Sequence, residues 1–175
     1  HPKADDDLRC LFLKQLSEFE ESDRAIIYLD ESGFKSHENR PHGYSYKGKP
    51  CFGSYNWQLK NQTNAIGAIH NNQLFAIYDC NVNADVFYSW VTQLLLPNLP
   101  KNSVVVMDNA TFHKRLDIQE LINDAGHCIL WLPPYSPDLN PIENVCALIK
   151  RILNYWRLHC IDALVFYFLW LCNIF

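Results

Sequence analysis

The sequence predicts an α/β domain, a mixed sheet with helices packed on its faces, and three observations carry that expectation. Segments that read as strands and helices follow the order strand, hairpin, helix, strand, helix, strand, helix, the pattern of a sheet covered by helices. The run Ser103–Met107 is almost wholly β-branched and apolar, as strands covered on both faces are. A chain of 175 residues with 49% hydrophobic and 19% charged composition is long enough to bury one substantial core.

Each element has its own signature. Residues 5–22 place Leu8, Phe12, Leu16 and Phe19 at helical spacing, with acids gathered in the first turn, where the helix dipole favours them. Residues 24–30 read as a buried strand that ends on Asp30 and stops at a Ser32–Gly33 turn. Residues 35–50, rich in Gly, His, Pro and Tyr, read as a long loop of the kind that often carries function. Ala65–His70 and Leu74–Asp79 form a hairpin joined through Asn71, Asn72 and Gln73. A helix over Ala84–Leu96 is capped by Asn83.

After the central strand, Leu116–Asp124 reads as a helix stopped at Gly126, and His127–Leu132 as another strand. The run Pro133–Pro137 forces an extended loop. Asn140 is then expected to cap a helix with Pro141 in its first position, so that Glu143 falls in the first turn of a helix reaching Tyr155. The apolar stretch Ala163–Cys172 is too short to span a bilayer and is expected to be a buried helix, so no membrane partner is expected.

Composition narrows the chemistry. Seven cysteines, an odd number with no CxxC pair, argue against a disulfide framework or a zinc site and suit a reduced, cytoplasmic setting. The seven histidines form no HExxH motif. A formal net charge of −4 argues against strong autonomous binding to nucleic acid, although basic pairs stand at Lys47 and Lys49, Lys114 and Arg115, and Lys150 and Arg151.

Three acids stand out by their context. Asp30 closes IIYLDESGF, Asp108 follows VVVM in VVVMDNATFHK, and Glu143 lies in LPPYSPDLNPIENVCALIKR. Carboxylates at the ends of three separate elements suggest a site for a hard divalent cation, which takes oxygen ligands and leaves room for water and phosphate oxygens. The chemistry that follows is phosphodiester cleavage or transfer. Alternation along a strand turns Glu31 to the face opposite Asp30, which points it to a supporting duty.

The blocks LDESGF, MDNATFHK and LPPYSPDLNPIENV resemble the three catalytic blocks of the DDE transposases of the bacterial IS630 and eukaryotic Tc1/mariner group. The thirty-four positions 109–142 between the second and third acids match the spacing of that group. The resemblance implies a ribonuclease H-like fold with a mixed five-stranded sheet flanked by helices. Residues 1–24 become a connector with a leading helix, and residues 25–175 the catalytic domain. The family's N-terminal helix-turn-helix region is expected to lie outside this chain.

The resemblance further implies two Mg²⁺ or Mn²⁺ ions held by Asp30, Asp108 and Glu143, with Asp30 bridging both. It implies cutting at transposon ends in double-stranded DNA and strand transfer to target DNA by a homodimer acting on the chromosome, or by this chain with a separately encoded helix-turn-helix subunit. Asn109, His113, Asn144, Lys150 and Arg151 fall in or just beyond the matched blocks, placed to support the ligands or to meet DNA, with His113 a candidate to contact a phosphate or orient a metal-bound water. Cys146 stands where the family usually carries tryptophan, which is expected to loosen the packing of its helix. Two rival functions remain open: an inactive or domesticated remnant serving as a DNA-associated interaction module, and a ribonuclease H-like nuclease that only cuts.

Overall fold

A computed structural model describes residues 4–35, 44–50, 62–71, 73–79, 82–111 and 113–156. The expected helix at 163–172 and most of the expected 35–50 loop lie outside these residues. The described elements are α1 (Asp6–Glu21), β1 (Ile26–Lys35), β2 (Gln62–His70), β3 (Gln73–Asp79), α2 (Ala84–Trp90), α3 (Leu96–Asn98), β4 (Val104–Met107), α4 (Leu116–Asp124), β5 (Cys128–Trp131) and α5 (Ile142–Trp156). The strands form one five-stranded sheet in the order β3-β2-β1-β4-β5. The first three pair antiparallel, while β4 and β5 add in parallel beside β1.

Strand alternation divides the core between the two faces of this sheet. Ile27 and Leu29 of β1, Ile66 and Ala68 of β2, and Val105 and Met107 of β4 pack beneath Phe87, Trp90, Ile118 and Ile122 from the α2 and α4 helices. Val104 and Val106 turn the other way and pack with Leu130, Leu132 and Phe12 of α1. Every residue of β4 is therefore buried, which is why its sequence is a continuous apolar run rather than an alternating one.

The Ser32–Gly33 turn expected from the sequence is absent. The strand β1 runs on to Lys35 because β2 offers backbone partners along its whole length, pairing Ser32 with Ala65 and Gly33 with Asn64. On its other edge β1 pairs with β4 only from Ile26 to Tyr28. Beyond Tyr28 that edge has no strand partner among the described residues, and a gap opens past the carboxyl end of β4, the side on which ligands of open α/β sheets bind.

Local chemistry sets the helix boundaries. Asp5 Oδ1 accepts the N–H groups of Asp7 and Leu8 at 3.0 and 3.1 Å, and Asn83 Oδ1 those of Asp85 and Val86 at 3.0 and 2.9 Å. The helix expected over Ala84–Leu96 widens into a π-helical turn at Val91–Leu95 before α3. Pro97 has no N–H to give Gln93, so regular α-helical bonding cannot continue there. Gly126 takes φ +83 after α4, the left-handed stop that glycine tolerates best.

The apolar stripe of α1 meets the sheet only from Phe12 onward; Leu8, expected to be part of it, is 44% exposed. Phe12 is the one fully buried side chain of α1. Phe12→Ala is expected to cost about 3–4 kcal/mol, read as a lower urea midpoint with an unchanged denaturant slope.

Candidate active site

Asp30 shares the sheet face of Ile26 and Tyr28, and it sits two residues past the point where β1 and β4 part company. Its Oδ1 accepts the backbone N–H of Glu31 at 2.8 Å. Asp108 is the first residue after β4, where the chain leaves the sheet. Its Oδ1 accepts the N–H of Ala110 at 3.0 Å and a proton from His113 Nδ1 at 2.7 Å. Glu143 lies exposed in the first turn of α5, a helix that packs over β1 and β2.

The three acids line one cleft of about 460 Å³, together with Asn109, Tyr135 and Asn140. Elements far apart in sequence therefore deliver their carboxylates to a single opening at the end of the parallel strands. Burial, then the charge of Glu143, then those of Asp108 and Glu31 push the Asp30 carboxyl up to about 7, against the opposing pull of the Glu31 N–H. Asp108 is held below the usual carboxylate range, chiefly by its hydrogen bond from His113. The cleft thus pairs an acid that holds its proton near neutrality with one that gives it up readily.

His113 is buried, at 2% exposed, and its Nε2 donates to Glu31 Oε1 at 3.0 Å while Nδ1 serves Asp108. Burial works against a charge on this ring, but hydrogen bonds to Asp108 and Glu31 outweigh it and raise the imidazole to about 9. The Phe87 ring lies 4.5 Å away, centroid to centroid. A ring so covered, with protein on both nitrogens, is not placed to touch a phosphate. Neither is it the surface imidazole that its place in a turn suggests.

Asn140 does not cap α5 with its side chain, contrary to expectation. It is buried, and its Nδ2 donates to the carbonyl of Leu29 at 3.3 Å, tying the loop before α5 to the strand that carries Asp30. Asn109 plays a similar part on the other side of the cleft, donating to the carbonyl of Leu132 at 2.6 Å. Tyr135, half exposed at the cleft, takes φ +56, a costly conformation for an aromatic residue between Pro134 and Ser136.

Asn144, Lys150 and Arg151 are exposed on α5. Cys146 is buried with Ile69 and Ile142, and a hydrogen bond with Ser32 partly offsets the rise that burial imposes on its thiol. The smaller side chain thus still packs against the sheet.

Carboxylate oxygens are the donors that Mg²⁺ and Mn²⁺ take, and Mg²⁺ needs only one or two carboxylates when water and phosphate complete its shell. Among the described residues, no three His, Cys, Asp or Glu side chains already stand close enough to hold an ion by themselves. The acids that line the cleft fit a cation by their chemistry, because its charge would offset the burial and, after it, the repulsion from Glu143 and Asp108 that raise the Asp30 carboxyl. Sequence reasoning placed Glu31 on the far face but not its link to His113. Alternation alone sends Glu31 behind the sheet, but its partner lies 82 residues away, beyond any local pattern.

A profile of the DDE superfamily endonuclease family matches residues 25–165. Solved structures share the fold at low sequence identity. The Mos1 transposase paired-end complex with its left transposon end is 19% identical with a TM-score of 0.65, over 81% of this chain and 46% of that one. The catalytic domain of Mos1 mariner transposase is 15% identical with a TM-score of 0.66, over 94% of this chain and 78% of that one. The mariner Mos1 paired-end complex with Mg is 18% identical with a TM-score of 0.60, over 84% of this chain and 52% of that one. The chain therefore spans about half the length of the transposases in those DNA complexes. No curated protein matches it in sequence. With the family profile covering most of its length, the five-stranded sheet and the acid-lined cleft belong to a member of the DDE superfamily endonucleases.

Proposed function

We propose that the chain is the catalytic domain of a DNA transposase of the Tc1/mariner kind, cutting phosphodiesters at transposon ends and joining them to target DNA. One observation carries this reading: Asp30, Asp108 and Glu143, from three separate elements, line a single cleft where β1 parts from the carboxyl end of β4. It is supported by membership of an endonuclease family and by the fold shared with Mos1, which has been solved with transposon-end DNA, with Mn and with Mg.

Asp30, Asp108 and Glu143 would hold Mg²⁺ or Mn²⁺, two ions in this proposal, which when bound activate the attacking oxygen and stabilise the leaving one. The rest falls to the chain itself. Asn109 and Asn140 fix the two loops that border the cleft. Asn144, Lys150 and Arg151, exposed on the helix that follows Glu143, meet the DNA backbone. A net charge of −4 leaves little electrostatic attraction for DNA, so end recognition falls to a helix-turn-helix region, on the same polypeptide or a separate subunit, and to a homodimer that brings two ends together. Residues 1–24 then form the connector and residues 25–175 the catalytic domain. Among the described residues no helix is long and apolar enough to cross a membrane, and we place the protein in the cytoplasm, acting on chromosomal DNA.

The acidic charge and the lack, among the described residues, of a ready-made three-ligand cluster favour one rival, a remnant that keeps the fold as an interaction module without cutting. A labelled duplex carrying the transposon end, incubated with the chain and Mg²⁺ or Mn²⁺, separates the readings. The transposase reading expects nicking and joining, both lost in Asp108→Asn and Glu143→Gln while circular dichroism is unchanged. Nicking without joining indicates a cutting-only nuclease, and no reaction with either ion indicates the remnant.

A further inference from the structure

Glu31 and His113 stand on the sheet face opposite the cleft, yet they reach Asp108 across the sheet's end. His113 joins the two carboxylates, with Nδ1 2.7 Å from Asp108 Oδ1 and Nε2 3.0 Å from Glu31 Oε1. Both partners are acceptors when ionised, so the ring donates from both nitrogens and has one orientation that satisfies them. Its pocket leaves the ring no room to turn, being 98% covered and backed by Phe87 at 4.5 Å between centroids. Glu31 is itself 22% exposed at its side chain and anchored on β1, where its backbone pairs with Ile66 of β2.

The effect on Asp108 is directional. Its Oδ1 already accepts from His113 and from the N–H of Ala110, the latter at 3.0 Å. Those two donors both engage Oδ1 and restrain the carboxylate, so Oδ2 is the oxygen with no donor among the described residues. Asp108 would otherwise swing freely, since its side chain is 52% exposed and stands just beyond the end of β4.

From this geometry we propose that Glu31, acting through His113, is a positioning residue for Asp108: it locks the imidazole, which holds Oδ1 back and offers Oδ2 to a divalent cation. The inference rests on the metal-centre reading of the cleft. Outer partners that orient a metal ligand typically contribute about 10–100-fold to ion affinity or activity. Glu31 is the residue to change, because its side chain reaches Asp108 only through His113. Removing His113 itself strips two carboxylates at once and threatens the fold.

The test is Mn²⁺ binding to the full 175-residue chain, read by electron paramagnetic resonance at a temperature where circular dichroism shows every variant folded. Glu31→Ala is expected to weaken Mn²⁺ binding about 10–100-fold, while Glu31→Gln, whose Oε1 still accepts from Nε2, recovers most of the loss. In DNA cleavage, Glu31→Ala should raise the ion concentration needed for half-maximal rate and leave the KM for DNA unchanged, a split that mere loss of stability does not produce. Wild-type Mn²⁺ affinity in Glu31→Ala, with binding still lost in Asp108→Asn, overturns this inference and spares the metal centre. A wild-type chain that binds no Mn²⁺ overturns both.

Discussion

Replacing Asp30 by asparagine is expected to stabilise the fold at neutral and alkaline pH while abolishing divalent-dependent cleavage. The carboxyl of Asp30 is pushed up to about 7, first by burial and then by the charge of Glu143, from an ordinary 3.8. A folded-state value raised above the unfolded one means that its contribution to stability is fully present below 3.8 and lost as pH rises through about 7. Asparagine keeps the acceptor for the Glu31 N–H and never ionises. At pH 8 the variant should therefore exceed the wild type by roughly 3 kcal/mol, and near pH 4 the two should converge. Urea denaturation at both pH values checks the gap, and the duplex assay checks the loss of cutting. A stabilising change that removes activity marks a residue kept for chemistry rather than for folding.

Addition of Mn²⁺ or Mg²⁺ is expected to raise the thermal midpoint, and chelation to reverse it. An ion that binds only the folded chain stabilises by about 2.7 kcal/mol at a hundred times its dissociation constant, which for a domain of this size is roughly 5–10 °C. The physical source is the repulsion among Asp30, Asp108 and Glu143, which a divalent charge converts into attraction. Asp30→Asn and Asp108→Asn should each shrink the shift, because each removes a ligand. Calorimetry with and without EDTA reads it directly. Since the relevant groups carry protons in competition with the ion, the shift should also be larger at pH 8 than at pH 6.

The elements whose signals are local were legible in the sequence. Asn83 before an amphipathic run, Gly126 after one, and the apolar block Val104–Met107 each fix a boundary through bonding or burial that a few neighbouring residues determine. What depended on a partner far along the chain was not legible. Ser32 and Gly33 carry turn chemistry, and only the presence of β2 some thirty residues later keeps them extended. Asn140 has the identity and position of a helix cap, but Leu29 offers a carbonyl that the sequence cannot place beside it.

The same divide runs through the cleft. The three acids could be found because each sits in its own short block, and strand alternation sent Glu31 behind the sheet. The bond between Glu31 and His113 links residues whose separation hides any local pattern, so its existence had to come from the fold. Burial of His113 under Phe87 likewise depends on α2 closing over that face, which turns a turn-region histidine into part of the interior.

Asp30, Asp108 and Glu143 are proposed to hold divalent cations in the cleft between β1 and β4. Anomalous diffraction from crystals soaked in Mn²⁺ tests it most directly. A manganese peak is expected within bonding distance of Asp108 and Asp30 oxygens, absent from crystals of Asp108→Asn. A soaked crystal with manganese bound elsewhere and none between these carboxylates would contradict it.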